Sequence, residues 1–269
     1  MSYCFGIDIG GTTVKCGLFT TEGELLEKWE IKTRTEENGK AILPDVAETI
    51  LKKMEEKGIA KADVIGVGVG VPGPVVKERE VQVAVNLHWG RTMLADVLEE
   101  LLGQIPVKVG NDANVAALGE MWKGGGEGTQ NLIMATLGTG VGGGIIVDGK
   151  IVTGAHGAGG EIGHACVDPE ETESCNCGNK GCLEQLASAT GIVRIGKKIM
   201  AENTAETKLT LDDFSAKPSL MHTKKVTVLQ NGSWTNLPDI WEPHWQSSPA
   251  WLTRKLSLSA VAYPKPDSL

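Results

Sequence analysis

The stretches FGIDIGGTTVKCGLFTTEGELL (residues 5–26) and LIMATLGTGVGGGIIVDGKIV (residues 132–152) share one pattern. Each contains an apolar strand, a corner rich in glycine and threonine, a second apolar strand, an acidic–glycine turn and a third strand. The copies are too far apart for a short-period solenoid, so the pattern predicts a duplicated domain. Two unrelated hairpins are the alternative. If the corners of two like-built lobes face one cleft, a nucleotide is expected between them.

The rest of the pattern predicts an α/β fold. The expected elements are helices at 41–57, at 92–102 and from NDANVAALGEM (111–121), and strands at 64–70 and 106–109. The glycine-rich run KGGGEGTQ (123–130) is expected to be a hinge. The predicted domains are an N-terminal α/β lobe (1–122), a second α/β lobe (123–217) and a C-terminal tail (218–269).

Composition and charge limit the functions that the chain can have. The chain has 269 residues, of which 41% are hydrophobic, and a net charge of −8. We expect a globular core, and the negative charge favours small-molecule partners over nucleic acid or an anionic membrane surface. The N-terminus MSYCFGIDIGG lacks the features of a signal peptide, which predicts a cytoplasmic protein. In a reducing compartment, closely spaced cysteines favour metal binding over disulfides.

The GGTT corner (10–13) is a candidate phosphate site. Glycine and threonine at a strand corner allow backbone N–H groups to converge on an anion, and the hydroxyls add donors. Lys15 lies one strand step beyond the corner, and Asp8 at the end of the first strand could hold Mg²⁺ directly or through water. Glycine-rich corners also occur in plain hairpins, so the pair is a stronger indication than either corner alone.

The stretch VGNDAN (109–114) places Asn111 and Asp112 where a short strand gives way to a helix. Asp112 could accept the proton of an alcohol that attacks a γ-phosphate, since phosphoryl transfer requires a base near the nucleophile. The alternative is that Asn111 or Asp112 only caps the helix, as these residue types often do.

The stretch EIGHACVDPEETESCNCGNKGCLE (161–184) is a candidate metal site. One imidazole and three thiols form a closed tetrahedral set for structural Zn²⁺, and the residues are His164, Cys175, Cys177 and Cys182. Such a metal would fix a loop that has little core of its own. Glu161 and Glu184 flank the ligands, so the metal could direct these carboxylates toward a polyhydroxy substrate. A solvated surface position is the alternative for each.

These motifs together resemble the ROK family (repressor, open reading frame, kinase), in particular its glucokinase-like sugar kinases. The resemblance runs from about Tyr3 to about Lys217 and is highly specific, because the motifs occur in the family's order. They are DIGGTTVKCGL, GVPGPV, VGNDANVAALGE, LGTGVGGGIIVDGKI, GAGGEIGH and CNCGNKGCLEQLAS. The resemblance implies an actin-like, ribonuclease-H-like two-lobe fold that transfers the γ-phosphoryl group of ATP to a hexose with Mg²⁺.

The resemblance also implies roles for single residues. Asp112 corresponds to the catalytic base. The implied sugar contacts are Asn86, Asn111, Asp112, Glu161, His164 and Glu184, with His164 also a zinc ligand. The implied cofactor-binding positions are Asp8, Gly10, Gly11, Thr12, Lys15, Gly138 and Thr139.

The family further implies a homodimer. Its repressors carry a helix-turn-helix segment before the first corner, and the short stretch before Asp8 favours a kinase over a regulator. Glucose is the first candidate substrate. The alternatives are another hexose, such as fructose, N-acetylglucosamine or N-acetylmannosamine, and a sugar-binding regulator without activity.

The composition changes abruptly at Pro218. Glycine survives only at Gly232, while tryptophans and prolines interrupt any long amphipathic helix. A constant shift of reading frame converts LTRKLSLSAVAYPKPD (252–267) into DPEAIVIGGGVSKAG, which resembles the family's glycine-rich adenosine motif. We therefore hypothesise a frameshift near Lys217, with a genuine irregular tail as the alternative. The frameshift would leave the second lobe incomplete and ATP affinity poor.

Overall fold

The first glycine-bent stretch forms three antiparallel strands in the computed structural model, which describes residues 2–202 and 259–262. They are β1 (Tyr3–Ile9), β2 (Thr13–Thr20) and β3 (Leu25–Lys32). Phe5, Ile7 and Ile9 of β1 are buried, whereas Asp8 between them is exposed. This alternation, which follows from the pleat of a strand, points Asp8 away from the core.

Two crossovers extend this meander into a mixed sheet of order β3-β2-β1-β4-β7. β4 is parallel to β1, and β7 is parallel to β4. Parallel neighbours need a crossover connection, which helices supply here. The elements are α1 (Glu36–Gly39, a single turn), α2 (Ile42–Lys57), β4 (Val64–Val71), β5 (Val75–Val76), β6 (Glu80–Val81), α3 (Leu94–Leu101) and β7 (Val107–Asn111).

The α2 helix shows why the sequence folds in this way. Its buried residues recur at helical spacing and form one apolar stripe, namely Ile42, Leu43, Val46, Ala47, Ile50 and Met54. Gly58 ends the helix in the left-handed conformation, with φ of 64°, and its N–H donates to a carbonyl of the last turn. The stripe belongs to the same hydrophobic core as the sheet.

The second glycine-bent stretch repeats the antiparallel meander. The remaining elements are α4 (Asp112–Lys123), β8 (Leu132–Leu137), β9 (Val141–Val147), β10 (Lys150–Ile151), α5 (Leu183–Ala187), α6 (Ala189–Glu202) and β11 (Ser259–Ala262). Their sheet has the order β10-β9-β8-β11, with each neighbouring pair antiparallel. The predicted strand, corner, strand, turn and strand are thus present in both copies.

Contacts divide the chain into two compact units. The first contains Met1–Ala116 and Thr153–Gly159, and the second contains Ala117–Val152 and the described residues from Gly160 onward. The domain boundaries expected at 122/123 and 217/218 stay predictions. Of the tail from Pro218, only β11 belongs to the described residues, so the irregular tail and the incomplete lobe otherwise lie outside them. Within the described part of the chain, no helix is long and apolar enough to cross a membrane.

Candidate functional site

The predicted site residues fall into two sets, one in each unit. The first unit carries the GGTT corner, Asp8, Lys15, Asn86, Asn111 and Asp112. The second carries the corner at 138–140, Glu161, Glu184 and the histidine–cysteine cluster.

The first corner is held rigidly by a neighbouring threonine. The N–H of Gly10 donates to the carbonyl of Thr13 over 3.0 Å, which closes the bend between β1 and β2. Thr33, which is buried, donates its hydroxyl to the carbonyl of Gly10 over 2.7 Å and its N–H to that of Thr12 over 3.0 Å. Because Thr33 donates hydrogen bonds to two carbonyls of the corner, the bend keeps a fixed shape.

Opposite charges lie beside this corner. Asp8 and Lys15 are paired across β1 and β2, and Lys15 Nζ lies 3.8 Å from Asp8 Oδ2. Both side chains are more than half exposed, at 56% for Asp8 and 68% for Lys15. An exposed ion pair of this length contributes little to stability. The fold therefore depends little on the attraction between these two charges.

Asn86 lies next to the first corner. It belongs to a 3₁₀ turn at Val85–Leu87 and is exposed. A Cβ at Gly11 would lie 3.3 Å from the carbonyl oxygen of Asn86 and 3.4 Å from its Cβ. The structure thus brings an implied sugar contact and a predicted phosphate corner together within the first unit.

Asn111 ends β7 and Asp112 begins α4, as the sequence predicts. Asn111 Oδ1 accepts the N–H groups of Ala113 and Asn114, at 3.0 and 3.2 Å. The Asn111 amide also donates to the carbonyl of Gly73 over 3.2 Å. The Asn111 side chain therefore fixes the start of the helix.

Unlike Asn111, Asp112 accepts a hydrogen bond from the backbone of the next residue and keeps an exposed surface. Its Oδ1 accepts the N–H of Ala113 over 2.8 Å. Desolvation by the surrounding protein raises the pKa of the Asp112 carboxyl, and the negative charge of Asp8 raises it further, against the hydrogen bond from Ala113. A carboxylate whose pKa is raised is a better proton acceptor than an ordinary aspartate.

The second glycine corner (138–140) also has its carbonyls held by a neighbouring segment. The N–H of Gly138 donates to the carbonyl of Gly140 over 2.9 Å. The carbonyl of Gly138 accepts the N–H of Ala189, and that of Thr139 accepts the hydroxyl of Thr190, both over 2.8 Å. Both donors belong to the first turn of α6. The two corners are therefore built on the same principle, each with its carbonyls held by an adjacent segment.

Glu161 precedes a 3₁₀ turn, Ile162–His164, that ends at the predicted ligand His164 and packs directly on β9. A Cβ at Gly163 would lie 2.1 Å from the carbonyl oxygen of Val141, a distance that no side chain can occupy. A Cβ at Gly143 would lie 2.5 Å from the carbonyl oxygen of Gly160. These two glycines thus allow the turn to approach the strand.

The four predicted metal ligands converge. Their ligand atoms all lie within 4.8 Å of one another, so the group formed by His164, Cys175, Cys177 and Cys182 could hold a metal ion. Cys177 Sγ lies 3.6 Å from Cys182 Sγ, and Cys175 Sγ lies 3.8 Å from His164 Nδ1. Gly181 has φ of 68°, and a Cβ there would lie 1.8 Å from the carbonyl oxygen of Asp168. The glycine before Cys182 is therefore required by the backbone.

Three contributing residues were not predicted. Thr33 and Thr190 hold the two corners, and Arg194 on α6 binds the cysteine loop. The Arg194 guanidinium donates to Glu171 over 2.7 Å and to Glu173 over 2.8 Å. No local signal identifies such residues, because their partners are distant in sequence.

A substitution at Gly163 tests the close approach of the turn to β9. Gly163→Ala is expected to lower the free energy of unfolding by about 1–3 kcal/mol, the usual cost of overpacking, and to weaken metal binding through His164. Thermal unfolding and bound metal content measure the two effects. Gly119→Ala is the matched control, since nothing lies within 4 Å of its added Cβ and alanine favours a helix. Equal stability of the two variants would contradict the contact.

Two repeated β-meanders, two glycine corners whose carbonyls are hydrogen-bonded and a histidine–cysteine cluster are features that can be compared with known protein families. The sequence pattern of the ROK family matches residues 4–233, and the chain belongs to this family. The match runs past Lys217, where the resemblance was expected to end. Solved ROK sugar kinases share the architecture, so the predicted α/β, actin-like fold class is confirmed.

The relatives make the likeness more specific. A glucokinase of Halalkalibacterium halodurans is 48% identical over 208 residues, which cover 77% of this chain and 62% of that protein. A glucokinase of Thermotoga maritima is 39% identical over 191 residues, or 70% of this chain and 58% of that protein. The chain thus spans about three fifths of the length of these curated relatives.

Among solved structures, a ROK family glucokinase from Streptomyces griseus in complex with glucose and AMPPNP is 36% identical. Its TM-score is 0.62, and the alignment covers 80% of this chain and 69% of that chain.

Proposed function

We propose that this chain phosphorylates a hexose with ATP, and that the substrate is glucose and the product glucose 6-phosphate. The observation that carries the proposal is the position of Asp112 at the strand–helix junction, in the unit that also holds the GGTT corner and Asn86. Similarity to curated glucokinases and to a glucokinase bound to glucose and AMPPNP supports the substrate pair.

The chemistry follows from these groups. Asp112 removes the proton of the sugar hydroxyl, the hydroxyl oxygen bonds to the γ-phosphorus, and the bond to the β-phosphate oxygen breaks to release ADP. The corners at 10–13 and 138–140, with Lys15, bind and orient the phosphates. Asp8 would hold Mg²⁺, which neutralises phosphate charge when bound. Asn86, Asn111, Glu161, His164 and Glu184 position the sugar.

We also propose that the histidine–cysteine cluster holds a structural Zn²⁺. A tetrahedral zinc with bonds to sulfur of about 2.3 Å places its sulfur ligands about 3.8 Å apart. The 3.6 Å between Cys177 Sγ and Cys182 Sγ fits that geometry. Four protein ligands leave no position for a reacting water, so the metal would shape the loop and take no part in proton transfer.

A second candidate function is sugar binding without turnover. It is favoured by similarity to a xylose repressor of Caldicellulosiruptor bescii, which is 32% identical over 202 residues, or 75% of this chain and 50% of that protein. A coupled assay for ADP over glucose, fructose, N-acetylglucosamine and N-acetylmannosamine separates the candidates. Turnover with glucose alone supports the proposal, and turnover with another sugar reassigns the substrate. Binding of a sugar in calorimetry, without turnover in the present or the frame-restored chain, supports the second candidate.

Restoring the reading frame after Lys217 is expected to raise ATP affinity and the temperature of unfolding relative to the present chain. The physical reason is that the restored text supplies the glycine-rich adenosine motif, whereas a strand at this position, β11, already pairs with β8. Calorimetry and thermal unfolding of both chains measure the difference. Equal stability and equal ATP turnover of the two chains would refute the frameshift hypothesis. A gene whose shifted reading frame does not encode the family-like text DPEAIVIGGGVSKAG would also refute it.

The pH dependence tests Asp112 as the base. The acid limb of kcat/KM is expected above the usual aspartate pKa of about 3.9, because desolvation and Asp8 raise the pKa of Asp112. Activity falls as the pH falls through this raised pKa, since the protonated carboxyl cannot accept a proton. In the metal-free chain, an NMR titration of the Asp112 carboxyl should show a lower pKa in Asp8→Asn, which removes one cause of the shift, and no change in Asp63→Asn on the surface. An unmoved Asp112 pKa in Asp8→Asn would contradict the electrostatic role of Asp8.

A further inference from the structure

Glu184 contacts the second glycine corner. Its Oε2 accepts the N–H of Val141 over 2.9 Å, at the point where β9 leaves the corner. A Cβ at Gly140 would lie 2.3 Å from the same oxygen. The carboxylate therefore lies against the backbone of the corner, and one of its two oxygens is already used there.

The other contacts of the corner explain why this hydrogen bond matters. The carbonyls of Gly138 and Thr139 are bound by the first turn of α6, which leaves the far end of the corner to be fixed elsewhere. Glu184 on α5 binds that end through Val141. Helices α5 and α6 thus hold the corner at both of its ends, within one unit of the structure.

The same helix begins at the metal cluster. Cys182, one of the four ligands, caps α5, and its N–H donates to Gln185 Oε1 over 3.1 Å. The Gln185 amide donates in turn to the carbonyl of Glu173 in the cysteine loop over 3.1 Å. Only one residue, Leu183, separates the Cys182 ligand from the Glu184 carboxylate. The position of the carboxylate therefore depends on the loop that the metal would fix.

We propose that Glu184 is a positioning residue for the phosphate corner, in addition to its implied contact with the sugar. One oxygen fixes the Val141 N–H, and the other remains for a sugar hydroxyl. The metal cluster, through α5 and Glu184, thereby sets the shape of the corner and the affinity for nucleotide. The inference rests on the proposed function, which assigns the corner to ATP.

Two substitutions separate the two roles of Glu184. Glu184→Gln keeps an oxygen that can accept from Val141 but removes the carboxylate, whereas Glu184→Ala removes the acceptor. Hydrogen exchange at the Val141 amide, measured by NMR on the full chain, is expected to be about tenfold faster in the alanine variant, or about 1.4 kcal/mol. The glutamine variant and Glu170→Ala, a matched exposed carboxylate of the loop, should exchange like the parent. Unchanged exchange in Glu184→Ala would overturn the proposal.

Nucleotide binding gives an independent readout. In calorimetry with AMPPNP and no sugar, Glu184→Ala should bind about tenfold more weakly, whereas Glu184→Gln should bind like the parent and lose affinity only for glucose. Equal losses in both variants would overturn the proposal. If Glu184→Ala does not fold, removal of metal from the parent chain should accelerate Val141 exchange, and no acceleration would overturn it. Because hydrogen exchange needs neither sugar nor nucleotide, failure of phosphoryl transfer would refute the proposed function without deciding the role of Glu184.

Discussion

Replacing Asp112 with asparagine is expected to lower kcat for hexose phosphorylation by about 10² to 10⁴, the contribution of a positioned general base. Asparagine has nearly the same shape but cannot accept the hydroxyl proton. The measurement is coupled release of ADP in whichever chain turns over, the present one or the frame-restored one. Calorimetry should show glucose binding retained, because the neighbouring contacts stay in place. Retained turnover would mean that another group is the base.

The stability of the same variant separates loss of catalysis from loss of fold. Since the pKa of Asp112 is raised in the folded chain, its charged form is disfavoured there, and the folded state gains stability as the pH falls through that pKa. At neutral pH the charge therefore costs stability, and Asp112→Asn should not lower the unfolding temperature. Asp148→Asn, in the exposed turn between β9 and β10, is the matched control and should keep full activity. A lower unfolding temperature in Asp112→Asn would show that the fold had been damaged.

Removal of the metal is expected to have the largest effect on stability. The loop at 161–184 is held by few buried apolar side chains, so chelation or Cys182→Ser should lower the free energy of unfolding by several kcal/mol. The apparent binding free energy of structural zinc, about 10–16 kcal/mol at pH 7, is the upper bound. Thermal unfolding with and without a zinc-selective chelator, together with elemental analysis, measures the effect.

Cys166→Ser is the matched control for this prediction. Cys166 is an exposed cysteine two residues from His164 and outside the four-ligand group. Its replacement should leave one zinc per chain and an unchanged unfolding temperature. A chain that contains no zinc, or one that loses zinc without loss of stability, would contradict the structural role of the metal.

Local patterns predicted the parts of the site that depend on neighbouring residues. The glycine corners, the junction at Asn111 and Asp112 and the cysteine spacing all lie in short continuous stretches, where strand period, helix capping and ligand geometry act directly. The structure confirms the corners and the junction as backbone features and brings the four ligands together.

Long-range contacts could not be predicted in this way. The hydrogen bond from Val141 to Glu184 and the approach of Gly163 to Val141 join segments that are distant in sequence. α5 was not among the predicted elements, since its five residues are too few to show a period. α6 was also not predicted, although its fourteen residues are enough to show one. Asn111 illustrates the same limit through its amide group, which donates to the carbonyl of Gly73, 38 residues away.

A crystal structure of the frame-restored chain with glucose and AMPPNP would locate the sugar and the phosphates directly. We expect a sugar hydroxyl within about 2.6–3.2 Å of the Asp112 carboxylate. We also expect both glycine corners in contact with the phosphates. A sugar bound away from Asp112, or a corner that points away from the nucleotide, would contradict the proposed function.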